Sequence, residues 1–127
     1  MRTVAFTAAV LLCVFWAPQW AGAQQTTTKG EIVDVLCYQE KGTAAGTGVA
    51  HMDCARECAR KPGHLFGILT DGDGLFKIIG DYAGNNHAKL LDYIGKQVEV
   101  SGVLTRGLDY STAINVTKIT ALAVDRK

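Results

Sequence analysis

The sequence predicts a small, mainly β domain: a five-stranded barrel with one helix between strands 3 and 4 and a short helix in an insert between strands 1 and 2. Three observations carry this. Apolar residues recur with a period of two in short runs, above all Val98, Val100, Gly102 and Leu104 against Gln97, Glu99 and Ser101. Turn signals separate the runs, and Asp71-Gly72-Asp73-Gly74 is a clear hairpin signal. One stretch, 37–63, breaks the rhythm and holds every cysteine outside the N-terminal leader. A connection that long in a compact domain either does something or carries structure of its own.

The chain has 127 residues, 48% of them apolar, which suits one domain with a modest core. Residues 1–23 read as a secretory signal peptide. Arg2 supplies the positive start, Val4 to Phe15 an apolar run too short to span a bilayer comfortably, and Ala21-Gly22-Ala23 the small residues at a cleavage site. An uncleaved anchor is the alternative. A lipidated Cys13 is disfavoured because Leu12 is too bulky to precede it. Cleavage before Gln24 removes Cys13, Trp16 and Trp20, and implies a periplasmic or secreted protein with no stable membrane insertion. There are 13 Lys/Arg against 12 Asp/Glu, and Arg2 leaves with the leader, so the remainder is neutral. A neutral chain without basic clusters argues against nucleic acid and against an anionic membrane. An envelope protein or a small ligand remains as the partner class.

Residues 24–29 are polar and Thr-rich and read as a flexible lead-in to a single domain, 30–127. Strand 1 is expected from Gly30 to Cys37, buried on both faces: Val33, Val35 and Cys37 on one, Ile32 and Leu36 on the other. Gly42, Gly46 and Gly48 describe a loose loop. Asp53 then caps a helix over Cys54–Arg60, which Pro62-Gly63 stops. His64 to Thr70 and Leu75 to Gly80 form strands 2 and 3 about the hairpin turn. That turn lacks the further acidic positions of a calcium loop. Asn85 or Asn86 caps a helix over His87–Ile94, with Leu91 and Ile94 inward together with Ala88 or His87, and Gly95 closes it. Strand 4 runs from Lys96 to Leu104. Ile114 and Val116 begin strand 5, and Ile119, out of phase, implies a bulge near Thr117-Lys118. The end, Asp125-Arg126-Lys127, is polar.

Five strands with a helix between the third and fourth is the order of an OB-fold barrel. The stretch from Leu91 to Gly102, followed by Ile114 to Ile119, resembles the last helix and two strands of small bacterial secreted OB-fold domains. The front half, Gly30 to Asp34 leading to Cys37-Tyr38, then His51, Cys54-Ala55, Cys58 and Gly67-Ile68-Leu69, resembles bacterial exported proteins with the same Cys, His-x-x-Cys-x-x-x-Cys layout. These resemblances imply an exported OB-fold-like domain and assign no activity.

The chemistry concentrates in Cys37, His51, Cys54 and Cys58. With a helix starting at Cys54, Cys54 and Cys58 sit one turn apart on one face, His51 folds back from the preceding loop, and Cys37 reaches in from a strand end. Three thiolates and an imidazole suit structural zinc, and soft sulfur also suits cuprous copper or an iron–sulfur centre. If one helix ran from His51 to Cys58, the two ends would be roughly 10 Å apart and could not share an ion. The competing expectation is a disulfide from Cys37 to Cys54 or Cys58. It would contribute roughly 3 kcal/mol to a small exported domain and leave one free thiol. A bridge within the pair Cys54–Cys58 has poor geometry.

Other chemistries fit less well. Covalent haem attachment needs Cys-x-x-Cys-His, which is absent, although His51, Met52, His64 or His87 could be axial ligands. His64 and His87 otherwise read as surface or packing histidines. Cys54 beside His51 could be a nucleophile and base, but no orienting acid or oxyanion hole stands at recognisable spacing. No catalytic residue is assigned. A ligand face on strands 2 and 3 would have Phe66, Phe76 and Lys77. The expectation is therefore an exported, non-catalytic binding protein whose insert is disulfide-pinned or holds a metal such as zinc or copper. The alternative is a thiol-based redox or metal-transfer protein using Cys54 or Cys58.

Overall fold

The computed structural model describes residues 23–109 and 111–123. The signal peptide expected over 1–23, apart from Ala23, and the polar end at 125–127 lie outside the described residues. Five strands close a barrel in the order β1-β2-β3-β5-β4: β1 (Gln25–Asp34), β2 (Phe66–Thr70), β3 (Gly74–Ile79), β4 (Gln97–Arg106) and β5 (Thr112–Ala121). All neighbours are antiparallel except β3 and β5. The mainly β, OB-fold-like class expected from the sequence is the one observed.

β1 closes the barrel by serving two partners. Its first part pairs with β4 (Gln25 opposite Val103 to Glu31 opposite Gln97) and its last part with β2 (Gly30 opposite Thr70 to Asp34 opposite Phe66). The overlap falls at Gly30 and Glu31, and a Cβ at Gly30 would run into the carbonyl oxygen of Leu69. Thr26 to Lys29 are therefore strand rather than flexible lead-in. The β-branched side chains of Thr26, Thr27 and Thr28 favour the extended backbone, and the stretch pairs with β4.

The core holds Ile32, Phe66, Ile68, Phe76, Ile78, Val98, Val100, Ile114, Val116 and Ile119 from the strands, with Leu90 and Ile94 from the β3–β4 connection. Fully burying a side chain of this size stabilises by about 1.5–3 kcal/mol. The β5 bulge stands where the pattern predicts it. Ser101 faces Lys118 while Gly102 faces Val116, so Thr117 is the extra residue that brings Ile119 inward. Asp71 to Asp73 form the β2–β3 turn, with the Thr70 hydroxyl donating to the Gly74 carbonyl at 2.8 Å and accepting from the Asp73 amide at 3.0 Å.

The helices depart from expectation. No α-helix lies between β3 and β4 among the described residues. That connection is two 3-10 turns, Gly80–Ala83 and Asn85–His87, followed by further turns. Asn85, Asn86 and His87 have φ of 51, 49 and 57°, a left-handed turn that cannot nucleate a right-handed helix. The bonds Leu90 N to His87 O and Tyr93 N to Leu90 O, each 2.8 Å, then span three residues. The tighter winding buries His87, Leu90 and Ile94 and leaves Leu91 only partly covered. Gly95 ends the segment with φ 71°, as expected.

The insert is more helical than expected. β1 stops at Asp34, and α1 (Val35–Gly46) starts at once, broken at Gly42 (φ 66°, ψ −170°). Cys37 is thus on the first turn of a helix and not at a strand end. α2 (Val49–Ala59) begins well before Cys54, with Gly48 as its N-cap, and Asp53 lies exposed within it. The stripe His51, Ala55, Ala59, spaced by four, is buried against one end of the barrel. Its small side chains let the helix lie close, and Pro62-Gly63, expected to stop it, follows shortly after its C-cap at Arg60.

Candidate metal centre

Asp34 organises the site. It is fully buried, and both carboxylate oxygens are engaged. Oδ1 accepts from the Cys37 amide at 3.0 Å, the N-cap bond of α1, and Oδ2 lies 2.7 Å from Nδ1 of His64. The β register explains the second contact. Asp34 faces Phe66, and the pairing runs on to Val35, whose amide donates to the Leu65 carbonyl at 2.9 Å, so His64 arrives beside the end of β1.

α2 supplies the sulfur. An oxygen of Asp34, Sγ of Cys58 and a ring nitrogen of His64 lie within 4.8 Å of one another. Cys54, one turn before Cys58, is exposed, while Cys37 is buried. Burial first, and then the charges of Asp34, Cys58 and Cys54, push the Cys37 thiol up to about 11, against the pull of Lys41. Burial likewise raises the Cys58 thiol, with Cys54, as a charge and as a hydrogen-bond partner, and Asp34 adding to it and Lys61 opposing. The Cys37 and Cys58 thiols resist ionising beside Asp34 and Cys54, an arrangement that a cation relieves.

Of the residues singled out in the sequence, Cys58 stands in the cluster, Cys54 is its hydrogen-bond partner, Cys37 is near enough to feel the charge of both, and His51 lies apart. Because α2 starts at Val49, His51 takes the barrel-facing side of the helix, two turns from Cys58. It is 5% exposed, and its Nε2 has no hydrogen-bond partner among the described residues. It lines a small crevice with Glu31, Ile32, Met52 and Ile94. His64, and not His51, is the histidine of the cluster with Asp34 and Cys58. Cys37, Cys54 and Cys58 are free thiols with no two at bonding distance, so the Cys37 bridge to Cys54 or Cys58 is not formed.

Sequence reasoning missed Asp34 and His64. The first carried a signal, since an Asp three residues before Cys37 has the spacing of an N-cap bond. The second did not, because its approach depends on the β1–β2 register.

The donor set fits a thiophilic ion. Donors on one tetrahedral zinc stand about 3.5 Å apart, given bonds of about 2.3 Å to sulfur and about 2.0 Å to nitrogen. Side-chain adjustment of about 1 Å brings Cys58 and His64 from the 4.8 Å cluster to that separation. No protein-family model, curated protein or solved structure matches this chain. Among the described residues, no helix is long and apolar enough to cross a membrane.

Proposed function

We propose that this is an exported metal-binding protein in which an OB-fold-like barrel carries a cap that holds one thiophilic ion, zinc or cuprous copper. The ligands are Cys37, Cys54, Cys58 and His64. One observation carries the reading: Cys58 Sγ and a His64 nitrogen lie within 4.8 Å of each other beside a buried carboxylate. The leader supports export. In an oxidising compartment unprotected thiols pair or oxidise, and a bound ion keeps three neighbouring cysteines as thiolates.

A thiol-based redox or metal-transfer role is the second reading. The exposed thiol of Cys54, next to Cys58, favours it. Against a nucleophilic role stands the raised Cys58 thiol, since a reactive cysteine needs a lowered one.

Elemental analysis of the mature protein, purified reduced and without chelators, tests the proposal. About one zinc or copper ion per chain is expected, with thiols that react only after the metal is removed. Absence of both metals, together with failure to take up added zinc, overturns it.

A further inference from the structure

We infer that the end of the barrel away from the cap is a second binding site, for a short peptide of two or three residues with free amino and carboxyl ends. The inference stands apart from the metal reading, because Thr26, at this end, lies about 26 Å along β1 from Asp34.

The two barrel ends are built differently. At the cap end Leu90, Ile94, Ala55 and Ala59 complete the core. At the other end the inward positions turn polar. Along β1 the buried alternation of Ile32 and Gly30 continues as Thr28 and Thr26, both half-buried. On β4 and β5, Leu104 stands opposite Ile114 and Arg106 opposite Thr112, so all four share the inward phase. The result is a groove of about 390 Å³, lined by the buried Phe76, by Leu104 and by threonines, with Asp73 and Arg106 among its charged groups. Small-molecule sites occupy about 300–1,000 Å³ and favour the mouths of barrels.

The lining selects the ligand. Thr26, Thr27 and Thr28 all border the groove. Successive side chains point to opposite faces, so the edge of the strand itself forms this wall. Residues 25–29 pair with β4 on one side, whereas β2 joins only from Gly30 onward. Among the described residues the other edge of 25–29 has no partner strand, and its amides and carbonyls suit an added extended backbone. Asp73 and Arg106 carry opposite charges, and among the described residues neither forms an ion pair, with the other or with a third group. A ligand of one sign meets one of them unfavourably. A peptide bearing an ammonium and a carboxylate complements both. Phe76 and Leu104 then give an apolar side chain of that peptide a surface to lie on.

Titration of the protein lacking 1–23 with leucyl-leucine, followed in ¹H–¹⁵N spectra, tests the inference. Saturable shifts are expected at the amides of Thr26, Thr28, Asp73, Phe76 and Thr112, with a dissociation constant of about 1 mM or tighter. Added zinc should leave that constant unchanged. N-acetyl-leucyl-leucine amide keeps the backbone and side chains but carries neither end charge, and should bind at least about 10-fold more weakly. Leucyl-leucine should weaken by a similar factor against Arg106→Gln and against Asp73→Asn. Both side chains are exposed, so both variants should keep their fold by circular dichroism. No response to leucyl-leucine, shifts that fall outside the groove, or equal binding of the capped peptide overturns the inference. Binding of a neutral disaccharide such as cellobiose without binding of the dipeptide also overturns it and assigns the groove to sugars. None of these outcomes bears on zinc uptake, so the metal reading is judged separately.

Discussion

Nδ1 of His64 lies 2.7 Å from Oδ2 of Asp34, across a sequence separation of 30 residues. The β1–β2 register makes that approach, and α2 sets Cys58 against it. The two histidines of the insert thus have opposite situations. His64 is held at the sulfur cluster, and His51 is turned into the barrel end.

Substituting each histidine separates their roles. His64→Ala should lower zinc affinity by at least about 10-fold. His51→Leu should leave zinc affinity unchanged and alter stability by less than about 1.5 kcal/mol in either direction, because it keeps bulk while deleting a buried nitrogen without a partner. Chelator competition and urea denaturation measure the two effects. A loss of zinc affinity confined to the His51 variant contradicts the geometry.

Acidity should shape metal uptake. Cys37, pushed up to about 11, and Cys58, raised from 9.0, both carry protons at neutral pH in the metal-free protein. Zinc must displace them. Apparent affinity should therefore climb with pH between about 6 and 8, by up to about tenfold per unit for each thiol deprotonated. Calorimetry in buffers of different ionisation heat counts the protons released, and about two are expected from this pair.

The same thiol makes the metal-free protein alkali-sensitive. Above the unfolded value of 9.0 the unfolded chain sheds the Cys37 proton while the folded chain keeps it, so the folded state binds more protons and stability falls as pH rises. The contribution is fully present below pH 9.0 and is lost as pH rises through about 11. Urea midpoints of the metal-free protein should drop over that window, and Cys37→Ser should flatten the drop.

Core substitutions test the β3–β4 connection. Leu90→Ala should cost about 2–5 kcal/mol, because Leu90 is fully buried. Leu91→Ala should cost distinctly less. An α-helix with Leu91 inward gives the reverse order in a denaturation series.

Barrel closure depends on Gly30. Gly30→Ala should destabilise by about 1–3 kcal/mol or more, since its Cβ meets the Leu69 carbonyl, a backbone atom that cannot swing aside. A melting temperature equal to that of the unsubstituted protein contradicts this packing.

The strands were legible because one barrel face is apolar and the other wet, which writes a period of two into Val98 to Gly102 and exposes the bulge through the displaced Ile119. The first helix was not. Val35 to Gly46 has no apolar repeat, because it packs only its first turn and its last glycine, and Val33, Val35 and Cys37 satisfy a strand pattern equally well. The second helix was legible at its end, where Pro62-Gly63 follows, and not at its start, where Gly48 offers no side-chain cap. That single misplaced boundary moved His51 from a loop to the buried stripe. The three cysteines could be found by type, whereas His64 could be found only through register.

The bond from the Val35 amide to the Leu65 carbonyl joins the two ends of everything between β1 and β2. Topologically the whole segment from α1 through α2 is then an oversized hairpin loop, begun and ended at neighbouring rungs of one ladder. Loop-closure entropy grows only logarithmically with length, so a barrel can carry such a loop or a short turn at little difference in cost. Cap and barrel are in that sense separable parts. A chimaera that replaces 36–64 with a two-residue turn should retain the strand order and take up no zinc.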